Sequence, residues 1–218
     1  MPVAILGPQL RFPDPRRSNA EGLVAIGGDF SVPRLLLAYR SGIFPWTADP
    51  ITWWSPNPRA IFELDRVHIS RSLAKVLRQG RFQITIDRSF QQVMEGCAES
   101  RPGRGQTWIT PEFLAGYTRL HEQGHAHSLE CWEGERLAGG IYGVVVGGLF
   151  AGESMFHRAS NASKVAVCKL IEHLRSRGFT LFDIQMLTPI TTQLGGVTIP
   201  REEYLRRLAG AVEQRCEF

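Results

Sequence analysis

The spacing of hydrophobic residues changes along the chain and predicts two parts of different architecture. After about residue 60, helical segments with apolar residues three and four positions apart alternate with short apolar strand segments. Predicted helices are 70–79, 89–97 and 110–124, and predicted strands are 82–87, 127–133, 137–146 and 149–156. Short glycine turns join the last three strands, which favours an antiparallel meander.

A strand, a helix and a second strand follow one another between residues 149 and 185. Ser160, Asn161 and Ser163 are all suitable N-cap residues for this helix, which ends near Gly178. The second strand is 181–185, and a last helix is predicted over 200–215. This order of elements indicates an α+β fold with a mixed sheet and helices on its faces.

Residues 1–60 are rich in proline, glycine and tryptophan, and only one helix is predicted there. Ser31 caps that helix, Pro33 lies in its first turn and Gly42 ends it. We interpret the segments on either side as ordered turns, because aromatic residues this frequent have to be buried against something. The sequence therefore predicts a small N-terminal domain, 1–60, in front of a larger domain, 61–218.

The composition is that of a globular protein with a modest excess of positive charge. Of its 218 residues 43% are hydrophobic, and the formal net charge is +4. No stretch reaches the roughly 18 apolar residues of a membrane helix, and the N-terminus lacks the features of a signal peptide, so we expect a cytoplasmic protein without a membrane partner. Arg71, Lys75 and Arg78 recur at helical spacing, which fits either a solvated face or a track for phosphates.

Two sequence features bear on metal binding: a match to a zinc-protease pattern and the spacing of the cysteines. His121 and His125 satisfy the H-E-x-x-H pattern of zinc proteases. Gly124, however, is expected to end the helix, so the two histidines would lie on different elements. The four cysteines are scattered without a C-x-x-C pair. We therefore predict no metal site.

Candidate chemistry lies in the strand 181–185 and the strand before it. Asp183 and Gln185 are two residues apart, so a regular strand would point both side chains to one face. An aspartate in an apolar strand is either a solvated or capping residue, or a desolvated carboxylate suited to acid–base chemistry. Glu153 follows Gly152 in the preceding strand. Both interpretations of Asp183 are open at this point.

The tryptophans also allow two interpretations. Trp46, Trp53, Trp54 and Trp108 lie next to proline or threonine in loop-like segments. They either pack in the core or form a stacking pocket for a base or an apolar side chain.

Many blocks of sequence, in the same order and over nearly the whole chain, closely resemble the bacterial leucyl/phenylalanyl-tRNA–protein transferases. They are AEGLVAIGGDFS, YRSGIFPW, ITWWSPNPRAIF, HISRSL, TWIT, HEQGHAHSLECW, GGIYGV, LFAGESMF, NASK and FDIQ. The resemblance implies transfer of Leu, Phe and, to some extent, Met from aminoacyl-tRNA to the N-terminal Arg or Lys of a protein, which marks that protein for degradation. It implies no metal and no cofactor.

The resemblance also implies a fold and residue roles. The larger domain should resemble the N-acetyltransferase fold, with Asp183 and Gln185 as the catalytic acid and amide, and Glu153 beside Gly152 in the cleft. Asp183 would polarise Gln185. Positions associated with adenosine and with the apolar amino-acid pocket are Trp46, Trp108, Ile141, Phe150 and Leu170.

The sequence disfavours two other function classes. An acyl-CoA N-acyltransferase would carry a strict pyrophosphate loop, and the segment 193–198 fails that pattern at its last position. A non-catalytic RNA-binding module would not need the pair of Asp183 and Gln185.

Overall fold

A small sheet opens the chain, where the sequence predicted ordered turns. The computed structural model describes residues 3–99 and 107–218. In these ranges four strands pair in the order β1-β2-β4-β3, with β1 parallel to β2 and the other pairs antiparallel. They are β1 (Ala4–Leu6), β2 (Leu23–Gly27), β3 (Phe44–Ala48) and β4 (Ile51–Trp54).

The prediction of turns was therefore wrong for these segments, and the pairing shows why. Register shifts interrupt the ladder between Leu23 and Ala25 and between Pro45 and Thr47. Such bulges break the two-residue alternation by which a strand is recognised from sequence. The predicted helix is confirmed as α1 (Val32–Arg40), with Ser31 at its N-cap and proline in its first turn.

The large sheet has seven strands within the described residues, in the order β11-β5-β10-β9-β8-β7-β6. The β7–β8–β9 meander is antiparallel as predicted, and β9 and β10 are parallel, so the sheet is mixed. The strands are β5 (Arg59–Phe62), β6 (Gln83–Ile86), β7 (Ala126–Glu133), β8 (Arg136–Val146), β9 (Leu149–His157), β10 (Leu181–Gln185) and β11 (Val197–Ile199).

The helices after residue 60 follow local signals closely. Ser70 Oγ accepts a hydrogen bond from the Leu73 N–H at 3.3 Å, and Gly80 ends the helix with φ of 61°, a left-handed conformation that glycine adopts without a steric cost. The helices are α2 (Arg71–Gln79), α3 (Phe90–Ala98), α4 (Pro111–Glu122), α5 (Ala162–Ser176), α6 (Pro189–Gln193) and α7 (Arg201–Ala211).

The two faces of the large sheet carry separate apolar cores. Helices α1, α3, α4 and α7, together with the small sheet, cover one face, where Tyr142, Phe156 and Leu208 are buried. Helices α2 and α5 cover the other face, where Phe150, Leu170 and Phe182 are buried. Helices therefore lie on both faces of a mixed sheet, as the order of elements indicated.

The division into domains at residue 60 stays a prediction. Strand β5 begins at Arg59 and belongs to the large sheet, so it crosses the proposed boundary. Trp53 and Leu35 of the first part pack in the same core as residues of the second part. Residues 3–57 thus contribute one wall of a core that they share with the large sheet.

Helix α4 ends before the second histidine of the H-E-x-x-H pattern. Its last residue is Glu122, and Gly124 has φ of 73°. His121 therefore lies on the helix, while His125 lies in the turn before β7. The prediction that the two histidines belong to different elements is confirmed. In the described part of the chain, no helix combines the length and the apolar composition needed to cross a bilayer.

Candidate active site

A cleft opens where the two parallel strands β9 and β10 separate. Their pairing runs only from Leu181 opposite Leu149 to Asp183 opposite Ala151. Beyond that point, residues of both strands line a cavity of about 480 Å³. The small sheet adds Phe44, Pro45 and Trp46 to the lining, so the cleft lies between the two sheets.

The lining of this cleft is mostly apolar and contains a single ionisable side chain among the described residues, Glu153. The apolar side chains come from the large sheet, from α5 and from the chain around α6. Prominent among them are Phe62, Ile141, Met155, Val167, Phe182 and Ile184. A site of this composition suits an apolar ligand group held beside a few polar atoms.

Gln185 lies at the end of β10 with its side-chain amide directed at Glu153. Its Nε2 donates a hydrogen bond to Glu153 Oε1 at 3.0 Å. The backbone of Gln185 is left-handed, with φ of 53°, and the strand register shifts between Asp183 and Gln185. The regular alternation assumed from the sequence therefore does not hold, because a bulge re-aims the strand at this residue.

Asp183 is buried behind the cleft, with 1% of its surface exposed. Arg59 forms a two-pronged ion pair with it: Nε donates to Oδ1 at 2.8 Å and Nη2 donates to Oδ2 at 2.6 Å. The Tyr204 hydroxyl donates to Oδ2 at 2.9 Å, and the backbone N–H of Gln185 donates to Oδ1 at 2.9 Å. Asp183 is thus neither a solvated edge residue nor a lining residue of the cleft.

Glu153 is half-buried and receives hydrogen bonds from both sides. Besides the amide of Gln185, the Tyr117 hydroxyl donates to its Oε2 at 3.0 Å. Burial raises the pKa of the Glu153 carboxyl to about 7, while the hydroxyls of Tyr39 and Tyr117 oppose this shift by stabilising the charged form. Such a carboxyl changes its charge near neutral pH.

Tyr39 and Tyr117 continue the hydrogen-bonded chain into the core. Their hydroxyls are 2.5 Å apart, and both side chains are buried between α1, α4 and the large sheet. Burial raises the pKa of both phenols well above the ordinary value, so they remain protonated donors. The carboxylate of Glu153 is therefore anchored through neutral groups rather than through a cation.

The structure brings together six of the nine residues singled out from sequence, as lining of one cleft: Trp46, Trp108, Ile141, Gly152, Glu153 and Gln185. Asp183 contacts Gln185 from behind. Phe150 of β9 and Leu170 of α5 lie in the core on the α5 face of the large sheet. Both are almost completely buried, and neither lines the cleft. Phe150 packs edge-on against Phe182, which does line it, at 5.3 Å between ring centroids.

Sequence reasoning missed four residues of the site: Tyr39, Arg59, Tyr117 and Tyr204. By their spacing, Tyr39 and Tyr117 fit the apolar faces of α1 and α4, and Arg59 lies in a segment for which the sequence predicted turns. A buried arginine is rare enough to suggest a partner once burial is known. Burial, however, is not visible in a single sequence at an isolated position.

Comparisons with known proteins show the family of the chain. Residues 61–209 match the family model described as leucyl/phenylalanyl-tRNA protein transferase, and residues 28–57 match the N-terminal domain of the same family. The chain belongs to the leucyl/phenylalanyl-tRNA protein transferase family. As a member of this family, the protein is an aminoacyl-tRNA-dependent transferase.

Relatives of the family are similar over almost their full length. A leucyl/phenylalanyl-tRNA–protein transferase of Anaeromyxobacter sp. (strain Fw109-5) is 48% identical over 217 residues, which cover 98% of this chain and 92% of the relative. One of Shewanella sp. (strain W3-18-1) is 50% identical over 207 residues, which cover 94% of this chain and 86% of the relative. The family assignment therefore applies to both sheets.

Among solved structures, the chain is similar to L-PGS from Bacillus licheniformis. The TM-score is 0.43 at 13% sequence identity, with 68% of this chain and 50% of that chain covered. A likeness at this score carries no argument about fold or function. The resemblance of the larger part to the N-acetyltransferase fold stays a prediction of the sequence.

Proposed function

We propose that the protein transfers leucine, phenylalanine or methionine from aminoacyl-tRNA to the N-terminal arginine or lysine of proteins, in the cytoplasm, and thereby marks them for degradation. One observation carries this proposal. An apolar cleft, large enough for an aminoacyl group, contains a carboxylate–amide pair, Glu153 and Gln185, where two parallel strands separate.

The apolar lining supports the choice of donor. Val167, Phe182 and Met155 offer a surface without charge or fixed hydrogen-bonding groups, which favours leucine, phenylalanine and methionine over polar side chains. Trp46 and Trp108 line the same cleft and offer aromatic faces on which the terminal adenine of tRNA could stack.

The charge distribution supports the choice of acceptor. Asp183 is neutralised by Arg59, since both charges meet in one buried ion pair. Glu153 therefore carries the negative charge that an acceptor's cationic side chain would encounter in this cleft.

The reaction is aminolysis of an ester. The nitrogen of the acceptor's α-amine bonds to the ester carbonyl carbon, the bond from that carbon to the ribose oxygen breaks, and a proton passes from the nitrogen to the leaving oxygen. An amide oxygen is too weak a base to hold that proton, so Gln185 Oε1 would align the amine by accepting a hydrogen bond. The neighbouring ribose hydroxyl would relay the proton to the leaving oxygen.

Glu153 would strengthen the hydrogen bond between the acceptor's amine and Gln185 Oε1. Because Gln185 donates its N–H to a carboxylate, the amide is polarised and its oxygen becomes a better acceptor. Among the described residues no donor contacts Gln185 Oε1, so that atom is available to a substrate.

Transfer of labelled leucine from Leu-tRNA to a peptide that begins with arginine tests the proposal. We expect a product with leucine at its N-terminus from peptides beginning with arginine or lysine. Two matched peptides serve as controls: one with an acetylated N-terminal arginine, which has no free α-amine, and one beginning with alanine. Equal transfer to the alanine peptide would contradict the proposed acceptor. Degradation is a separate readout: the half-life of an Arg-starting reporter should lengthen in cells that lack the enzyme.

A further inference from the structure

We infer that Arg59 and Tyr204 are positioning residues for the transfer reaction, which hold Asp183 so that Asp183 fixes the backbone of Gln185. The inference rests on the proposed role of Gln185. Neither residue lines the cleft, so each would act through Asp183 rather than by contact with substrate.

Arg59 is bound on every side although it is buried. Besides its two bonds to Asp183, its Nη1 donates to the Gly42 carbonyl at 3.1 Å. The guanidinium lies over the ring of Phe44 at 4.8 Å and over the ring of Tyr204 at 4.5 Å. Burial alone would lower the pKa of this guanidinium, but the charge of Asp183 raises it above the ordinary value, so Arg59 stays a cation.

Tyr204 brings helix α7 into the same cluster. Its hydroxyl donates to Asp183 Oδ2 at 2.9 Å and accepts a bond from Arg59 Nη2 at 3.4 Å. Oδ2 of Asp183 therefore has two donors, and the carboxylate cannot rotate without breaking bonds to two elements, β5 and α7. Each donor is a group that keeps its proton at neutral pH.

The Asp183 carboxylate, fixed in this way, forms a hydrogen bond with the backbone of Gln185, which lines the cleft. Oδ1 of Asp183 accepts the N–H of Gln185 two residues later, a turn that aspartate side chains form readily. This bond holds Gln185 in its left-handed conformation, which a residue with a side chain rarely adopts. Loss of the bond would let β10 straighten and move the side-chain amide away from Glu153.

Arg59 also connects the two walls of the cleft. Gly42 lies in the turn before β3, and Phe44, the first residue of β3, lines the cleft. One cation thus contacts the strand that carries the reactive amide and the segment that carries the aromatic wall. A change at Arg59 is expected to affect both the rate of transfer and the fit of the donor.

Stability alone is a weak explanation for this cluster. Burying an ion pair costs desolvation that its attraction often only balances, and well-packed apolar side chains would stabilise the fold as well. A better explanation is that the directed hydrogen bonds to Asp183 hold its carboxylate in one orientation.

Tyr204→Phe is the sharpest test, because it removes one hydroxyl and keeps the ring that packs on Arg59. We propose to measure single-turnover transfer from pre-bound Leu-tRNA in four proteins: wild type, Tyr204→Phe, Gln185→Ala and the double variant. Tyr142→Phe is the matched control, because it removes a buried hydroxyl that has no hydrogen-bond partner among the described residues and does not line the cleft.

We expect a roughly tenfold slower transfer in Tyr204→Phe, from the loss of one hydrogen bond to a charged group, with Leu-tRNA affinity nearly unchanged. In the Gln185→Ala background the same substitution should cause no further loss, since the residue through which it acts is gone. Arg59→Lys, if it folds, should be slower than Tyr204→Phe, because lysine lacks the planar fork that binds both oxygens.

Two outcomes would overturn the inference: a wild-type rate in Tyr204→Phe, or an equal loss in both backgrounds. A near-normal rate in Gln185→Ala itself would instead contradict the proposed role of Gln185. The two failures are therefore distinguishable.

Discussion

Gln185 Nε2 lies 3.0 Å from Glu153 Oε1, across the gap where β9 and β10 separate. The orientation of the amide follows from charge, because an amide oxygen facing an ionised carboxylate would be repelled. The amide oxygen, Gln185 Oε1, is then available to accept a hydrogen bond from substrate. The protonation state of Glu153 should therefore influence both the stability of the fold and the reaction.

The stability of the protein should depend on Glu153 in a pH window that can be stated. The pKa of this carboxyl rises from an ordinary 4.5 to about 7 on folding, mainly through burial. The unfolded chain loses this proton between those values while the folded chain keeps it. The stability that the protonated group contributes is thus fully present below about pH 4.5 and is lost as the pH rises through 7.

Glu153→Gln removes this titration. The free energy of unfolding of the variant, relative to that of wild type, should therefore rise as the pH is raised from 5 to 8. Urea unfolding at the two pH values measures the difference. Glu112→Gln is the control: a hydrogen bond from Thr110 lowers the pKa of Glu112, so nearly all of its titration lies below this window and its effect on stability should change little between the two pH values. If the free energies of unfolding of Glu153→Gln and wild type differ by the same amount at both pH values, the prediction is contradicted.

Gln185→Ala and Asp183→Asn should both slow transfer, by different routes. Loss of a group that assists proton transfer or aligns the nucleophile typically lowers the rate by about 10² to 10⁴-fold, and we expect losses in that range with Leu-tRNA affinity nearly intact. Asp183→Asn also leaves a buried cation without its partner, which costs roughly 3–5 kcal/mol of stability. Thermal unfolding should therefore separate the variants, with only Asp183→Asn strongly destabilised. Near-normal single-turnover rates in both would mean that the pair is structural.

Val167→Phe should reduce transfer of phenylalanine more than transfer of leucine. Val167 lines the cleft, so a larger side chain there would occupy space that the donor's side chain needs, and the larger donor would suffer more. A misfit of one or two methylene groups is worth about 1–3 kcal/mol, which is roughly 10- to 200-fold in kcat/KM. Comparing kcat/KM for Phe-tRNA and Leu-tRNA measures the effect. Equal losses for the two donors would place Val167 away from the side-chain pocket.

The basic face of α2 should supply part of the salt dependence of tRNA binding. Arg71, Lys75 and Arg78 are exposed, and none of them forms an ion pair with any other described residue. Replacing one of them by alanine should reduce the slope of log affinity against log salt by about 0.7 to 0.9, because one phosphate contact is lost. Arg206→Ala is the control, since this exposed arginine of α7 is already paired with Glu203. A slope that is unchanged in all three α2 variants would remove this face from the tRNA interface.

The sequence by itself determined most of the elements after residue 60. Helix α2 begins after Ser70 and ends before Gly80, and β10 covers 181–185 as predicted, because caps, glycines and apolar spacing act over a few neighbouring residues. The family resemblance was likewise carried by local blocks. These signals pointed to Gln185 and Glu153, and six of the nine residues that they singled out line the cleft.

Only the tertiary structure decided what Asp183 does. Its main partner, Arg59, is 124 residues away in sequence, and Tyr204 reaches it from the last helix. The bulge at Gln185 and the broken ladders of the small sheet also depend on strand pairing rather than on local preference. Pairing between distant segments depends on the burial of whole sheet faces and of charged groups. The residues near one position in the sequence do not show which distant segment will pair with it.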